Sequence, residues 1–148
     1  MNLGDSDRRF GILWLFFGYS LALHALDEAG NNFLFFYNAN VIAMRRTWPS
    51  FFMPVLSLQS FIGIMLCGLA VWLALVPLAF RRRTWMRVLA VPVALLGGIA
   101  NGCVHMIASI VYRRFMPGVY TAPLILLAGI LLLREAVKAR DALSEARS

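Results

Sequence analysis

His24, Asp27 and Glu28 fall within five residues of an otherwise apolar stretch, and the chain's other histidine, His105, sits in a second such stretch. Two imidazoles and two carboxylates are a ligand set for a divalent transition metal: imidazole suits zinc and iron, carboxylate suits manganese. Three or four such ligands with one position left open permit hydrolytic or redox chemistry. Without a metal, His24 and Glu28 are a candidate general acid–base pair, with His105 as the third catalytic group. The spacing supports a shared site. His24 and Glu28 are i, i+4 and lie on one helix face, with Asp27 at i+3 on the same side. Asn31 extends this polar stripe, and Asn101 and His105 repeat the i, i+4 spacing farther on. The expected ligands are therefore His24, Asp27, Glu28 and His105, with Asn101, Asn31 and Gln59 orienting them or a water.

The elements that must carry these residues are apolar helices. Hydrophobic residues make up 61% of the 148-residue chain and charged residues 14%, and the mean hydropathy is +0.75. A spanning helix needs about 20 mostly apolar residues. Four runs qualify as expected spans, at about 10–26, 51–80, 88–112 and 117–133. Backbone polar groups in lipid must be satisfied within each segment, so the expected fold is all-α, a four-helix transmembrane bundle forming one domain over 1–148. Residues 134–148 are expected to be a cytoplasmic tail. The connection 27–50 is the one long loop. Gly30-Asn31-Asn32 signals a helix stop, and the apolar Phe33–Tyr37 piece after it is too short to span, which suggests an interfacial or re-entrant segment. Gly97, Gly98 and Gly102 offer small surfaces for close helix approach.

Charge orients the bundle. Arg8 and Arg9, Arg81, Arg82, Arg83 and Arg87, then Arg134, Lys138, Arg140 and Arg147 fall on one side; Arg45, Arg46, Arg113 and Arg114 fall on the other. Ten against four places both termini in the cytoplasm by the positive-inside rule. The net charge of +7 sits in short flanks rather than along one face, which argues for headgroup contact and against nucleic-acid binding. At 1.5 Å per residue, His24 lies about 21 Å along the first span and His105 about 26 Å along the third, both in the outer part of a roughly 30 Å core. Gln59 falls at a comparable depth. A charged group at the centre of a membrane helix costs roughly 2.5 kcal/mol or more, so such groups usually face a shared interior. Cys67 and Cys103 form no paired framework and read as small apolar residues. Trp48 and Trp85 read as interfacial anchors, and Trp14 and Trp72 as packing residues. No cleavable signal peptide is evident.

At His24-x-x-Asp27-Glu28 and Asn101-x-x-x-His105 the chain resembles the HXXEE family of small bacterial integral membrane proteins, with Met116-Pro117-Gly118-Val119-Tyr120-Thr121 also similar. The resemblance covers about residues 10–133. It implies one site formed by these residues in a bacterial inner-membrane protein, and it implies no substrate. Asp27 departs from the pattern: it stands where the family has its first glutamate, which keeps the carboxylate but draws it in by one methylene.

Three functions compete. The first is a membrane-embedded enzyme, metal-dependent or acid–base, acting on a lipophilic substrate from the outer leaflet. The second is an ion or proton transporter subunit, since acidic groups and histidines within spans often line ion paths. Against it, the inner halves of the first, third and fourth spans are apolar apart from Tyr19, Ser20 and the charged ends. The third is a structural or partner-binding membrane protein, its polar residues forming a hydrogen-bonded network or, for Asp27 and Glu28, a water-exposed helix end. A homo-oligomer is compatible with all three. There is no phosphate-binding glycine loop, Ser-His-Asp order or C-x-x-C.

Overall fold

A computed structural model describes residues 3–81 and 83–145, with side chains described for 5–81 and 83–138. Its helices are α1 (Leu3–Gly30), α2 (Phe33–Thr47), α3 (Leu58–Ala79), α4 (Thr84–Pro92), α5 (Asn101–Val111) and α6 (Ala122–Glu145), with a π-helical stretch, Val93–Ala100, joining α4 to α5. The described residues contain no strand. Three helices are long and apolar enough to cross a membrane: Asp5–Gly30, Leu58–Ala79 and the continuous Thr84–Val111.

The boundaries depart from expectation at four places. The first helix begins near Leu3 and runs four residues past Leu26, to Gly30, so His24, Asp27 and Glu28 are helical. The 27–50 connection holds a full 15-residue helix, α2, entered through Asn32 in the left-handed conformation at φ 59°. The third helix starts at Leu58, not Phe51. Residues 51–57 form no helix or strand, and Ser57 caps α3 by accepting from the Ser60 amide at 3.1 Å. This piece is tied back along α2: Asn38 and Leu56 exchange two hydrogen bonds at 2.9 Å, and the Tyr37 hydroxyl donates to the Pro54 carbonyl at 3.0 Å. Finally, Pro117–Thr121 is a turn, and α6 begins only at Ala122. Its apolar run ends at Leu133, twelve residues or about 18 Å later, short of a roughly 30 Å core.

α1, α6 and the Thr84–Val111 helix form the centre of the molecule. The seam on α1 is Phe10, Trp14, Phe17, Ser20, His24 and Glu28, every third or fourth residue and all buried. That spacing is the stripe a helix must bury. On α6 the matching stripe is Ala122, Ile125, Ala128, Leu132 and Glu135, also buried. α3 packs on α1 through Trp72, whose indole stacks on Trp14 at 3.9 Å between centroids. Most of the rest of α3 is exposed and apolar, and Cys67 lies on that exposed face rather than in a core.

The π-helical stretch explains how the third span holds its face. Its buried line runs Ala90, Ala94, Gly98, Gly102, in steps of four. In a regular helix, at 3.6 residues per turn, each such step rotates the face by about 40°. The wider turn of a π-helix falls short of a full rotation over four residues and so turns the face the other way, offsetting that drift. Pro92 precedes the stretch and supplies no amide donor, which weakens the regular ladder there. At Gly98 the backbone meets Gly129 of α6; a Cβ would stand 2.7 Å from the Gly129 Cα. Two facing glycines thus allow a close crossing that a side chain at either position would block.

Candidate functional site

The site lies at the end of the central seam where α1 finishes, α5 ends and the Pro117–Thr121 turn enters α6. The His24 and His105 rings meet edge to face at 4.7 Å between centroids. The Glu28 Oε1 atom stands 3.2 Å from His105 Nε2 and 3.7 Å from His24 Nε2. His24 is 1% exposed and Glu28 and His105 9% each, so water does not screen the cluster freely.

The turn sets the direction of both rings. His105 Nδ1 lies 2.5 Å from the Pro117 carbonyl oxygen, which only accepts, so Nδ1 carries a proton and donates. His24 Nδ1 lies 2.9 Å from Thr121 Oγ1. The Thr121 hydroxyl has one proton, and its strongest acceptor is the Asp27 Oδ2 carboxylate oxygen at 2.9 Å. The network therefore assigns the donor in the other bond to His24 Nδ1. In the neutral form of each ring, Nε2 is then a bare lone pair, and both Nε2 atoms face Glu28 Oε1.

Three lone-pair atoms thus converge, all within 4.8 Å of one another. One proton placed between His105 and Glu28 satisfies that pair and leaves His24 Nε2 without a partner, and this nitrogen is buried and has no hydrogen bond. A divalent cation satisfies all three. With bonds of about 2.0–2.2 Å, tetrahedral geometry puts ligand atoms roughly 3.3–3.5 Å apart; the two edges that meet Glu28 are 3.2 and 3.7 Å, and the two histidine nitrogens lie within 4.8 Å of each other. Two histidines and a glutamate with an open fourth position is a donor set used by catalytic zinc, and Nδ1–H bonds to a carbonyl and, through a hydroxyl, to a carboxylate are the usual way such rings are oriented.

Of the four expected ligands, His24, Glu28 and His105 come together and Asp27 does not join them. Asp27 is not placed as a ligand: Oδ2 accepts from the Thr121 amide at 3.0 Å and its hydroxyl at 2.9 Å, and Oδ1 accepts from Asn31 Nδ2 at 2.8 Å. At i+3 it shares the side of α1 but points to the turn, where the amide and hydroxyl of Thr121 claim it. Asn31 is exposed and braces Asp27. Asn101 is half-buried one turn before His105 on the same helix, and its side chain forms no hydrogen bond among the described residues. Gln59 is exposed in the first turn of α3 and forms no hydrogen bond among the described residues. It misses the site because α3 packs on α1 away from the His105 helix. The residues the spacing did not single out are the Pro117 carbonyl, Thr121 and Gly118. Gly118 has φ +86°, and a Cβ there would lie 2.8 Å from both imidazoles. The usable signal was the Met116–Thr121 segment of the resemblance, a Pro-Gly pair followed by a threonine, although it was expected at the start of the span 117–133 rather than in a turn.

Beside the cluster, α2, α5 and the 51–53 segment line an open cavity of about 310 Å³, its walls mainly apolar side chains, among them Phe33, Phe36, Val41 and Val104, with His105 also on its wall. The opposite end of the seam holds a second polar group. Arg87, 7% exposed, bonds Asp7 at 2.8 Å, Ser6 at 3.3 Å and the Glu135 carbonyl at 3.3 Å. Glu135 is itself buried, so the expected 134–148 tail is packed against the protein at that residue, with Arg134 exposed beside it.

Fold and site together define a small all-helical protein with membrane-length apolar helices and a buried His–Glu–His cluster. The chain belongs to the family described as protein of unknown function with HXXEE motif, whose model matches residues 14–133. Searches of curated proteins and of solved structures gave no match.

Proposed function

We propose that the protein is an integral membrane enzyme that uses a divalent metal, held by His24, Glu28 and His105, on a lipophilic substrate. The carrying observation is the convergence of two buried Nε2 lone pairs on one carboxylate oxygen, an arrangement that a single proton cannot satisfy. When bound, the metal would supply Lewis-acid polarisation of a substrate oxygen. The chain's own residues do the rest. Thr121 and the Pro117 carbonyl hold the imidazoles in register, and Asp27 fixes the threonine hydroxyl. With its termini in the cytoplasm, the protein would present the site to the outer half of the bilayer, and the α2–α5 cavity would admit an apolar chain to the His105 wall. α6, whose apolar run is short, would cross with its charged end sheltered by Arg87 and its partners.

An ion-path reading is weaker. Between the two polar clusters the seam is filled by Trp14, Phe17, Ile125 and Leu132, all at most 1% exposed. Among the described residues, a protomer so packed offers no polar track for an ion to follow.

The test is metal content by elemental analysis of detergent-purified protein lacking a histidine tag, beside His24→Ala and His105→Ala. About one metal per chain, lost in both folded variants, is the expected result. A folded wild-type protein that takes up neither zinc, iron nor manganese would overturn the proposal.

A further inference from the structure

Resting on that reading, we infer that the cavity between α2 and α5 takes the hydrocarbon chain of a lipid with an anionic phosphate headgroup, and that Arg114 and Arg45 hold the phosphate at its rim. The Arg114 guanidinium lies over the Phe36 ring at 4.5 Å and near the Tyr112 ring at 5.9 Å, and both rings line the cavity. Arg45 donates one bond, at 2.7 Å, to the carbonyl of Met53, another lining residue. Each guanidinium has five donors, so most remain available.

The charge pattern supports the assignment. Among the described residues, no carboxylate forms an ion pair with Arg45, Arg46, Arg113 or Arg114, and all four are exposed. The only acidic residues at this end, Asp27 and Glu28, are engaged by Thr121 and Asn31 and by the two histidines. The others lie in the first turns of α1 or from Glu135 onward in α6. An apolar cavity of this size is within the range of small-ligand sites, roughly 300–1,000 Å³. With unpaired arginines at its mouth, it is complementary to a chain bearing a negative head, and guanidinium matches phosphate with paired bonds.

The test uses delipidated full-length protein in neutral detergent, titrated with dioleoyl phosphatidylglycerol and dioleoyl phosphatidylcholine, with retained lipid and metal measured on the same samples. Wild-type protein should hold the glycerol lipid at least about tenfold more tightly, about 1.4 kcal/mol. The Arg45→Gln/Arg114→Gln double variant should bring the two lipids within about twofold and keep its metal. Val104→Trp, which fills the cavity, should weaken both. Equal affinities in wild type, or a preference that survives loss of both arginines, would overturn the inference. The two proposals fail separately. A tenfold preference in a metal-free protein would remove the metal centre and leave the lipid site, and metal lost on His24→Ala with no lipid preference would do the reverse.

Discussion

Thr121 is the sharpest place to test the site, because its hydroxyl is the one group joining His24 to Asp27. Replacing it by valine keeps the shape and the backbone amide but deletes two bonds of 2.9 Å. Asp27 Oδ2 keeps the Thr121 amide at 3.0 Å, so it is not abandoned. His24 Nδ1 is: its ring is 1% exposed, and water cannot replace the lost acceptor. An unsatisfied buried donor costs about 1–3 kcal/mol. Loss of an orienting bond to a metal-ligating histidine typically lowers metal affinity 10- to 100-fold, or about 1.4–2.8 kcal/mol. The assay is zinc competition against a chromophoric chelator in detergent, with thermal unfolding of the metal-free protein run alongside. Thr121→Val should show both losses, and Thr121→Ser should restore both. A valine variant that binds zinc within about twofold of wild type would refute the assigned Thr121 bond and, with it, the chain of reasoning from tautomer to metal.

Other substitutions probe neighbouring parts of the argument. Glu28→Gln removes the carboxylate ligand but offers an amide donor to the two Nε2 lone pairs, so it should abolish metal uptake while raising the stability of the metal-free protein by about 1 kcal/mol; retention of stoichiometric metal would contradict the ligand assignment. Gly118→Ala puts a methyl 2.8 Å from both rings on a backbone at φ +86°. It should lose metal and cost at least about 1–3 kcal/mol from backbone strain alone, read by elemental analysis and thermal unfolding. Arg87→Ala leaves Asp7 without its 2.8 Å partner at the far end of the seam, and breaking such a pair costs about 3–5 kcal/mol where it is fully buried; unfolding should come markedly earlier while the folded protein keeps its metal, and a loss of metal without a loss of stability would count against the separation of the two clusters.

Much of this protein follows from local rules that the chain obeys along its own length. Apolar composition and run length imply membrane-scale helices. Helical periodicity puts His24 and Glu28 on one face. Gly30-Asn31-Asn32 marks the end of α1, where Asn32 takes a positive φ. These are one-dimensional properties, and one sequence is enough to read them. What the rings face is a different kind of quantity, because it depends on how each helix is rotated and how far it has slid against the others. Packing decides that: the Gly98–Gly129 crossing, the π-helical stretch that holds Ala94, Gly98 and Gly102 in line, and the Trp14–Trp72 stack that carries α3 and Gln59 away. The same packing turns Asp27 from an expected ligand into the anchor of Thr121. It also brings the Pro117 carbonyl, 12 residues beyond His105, back to set that ring's proton. A carbonyl and a threonine have no chemistry that spacing can reveal; they acquire it only when a turn carries them against an imidazole.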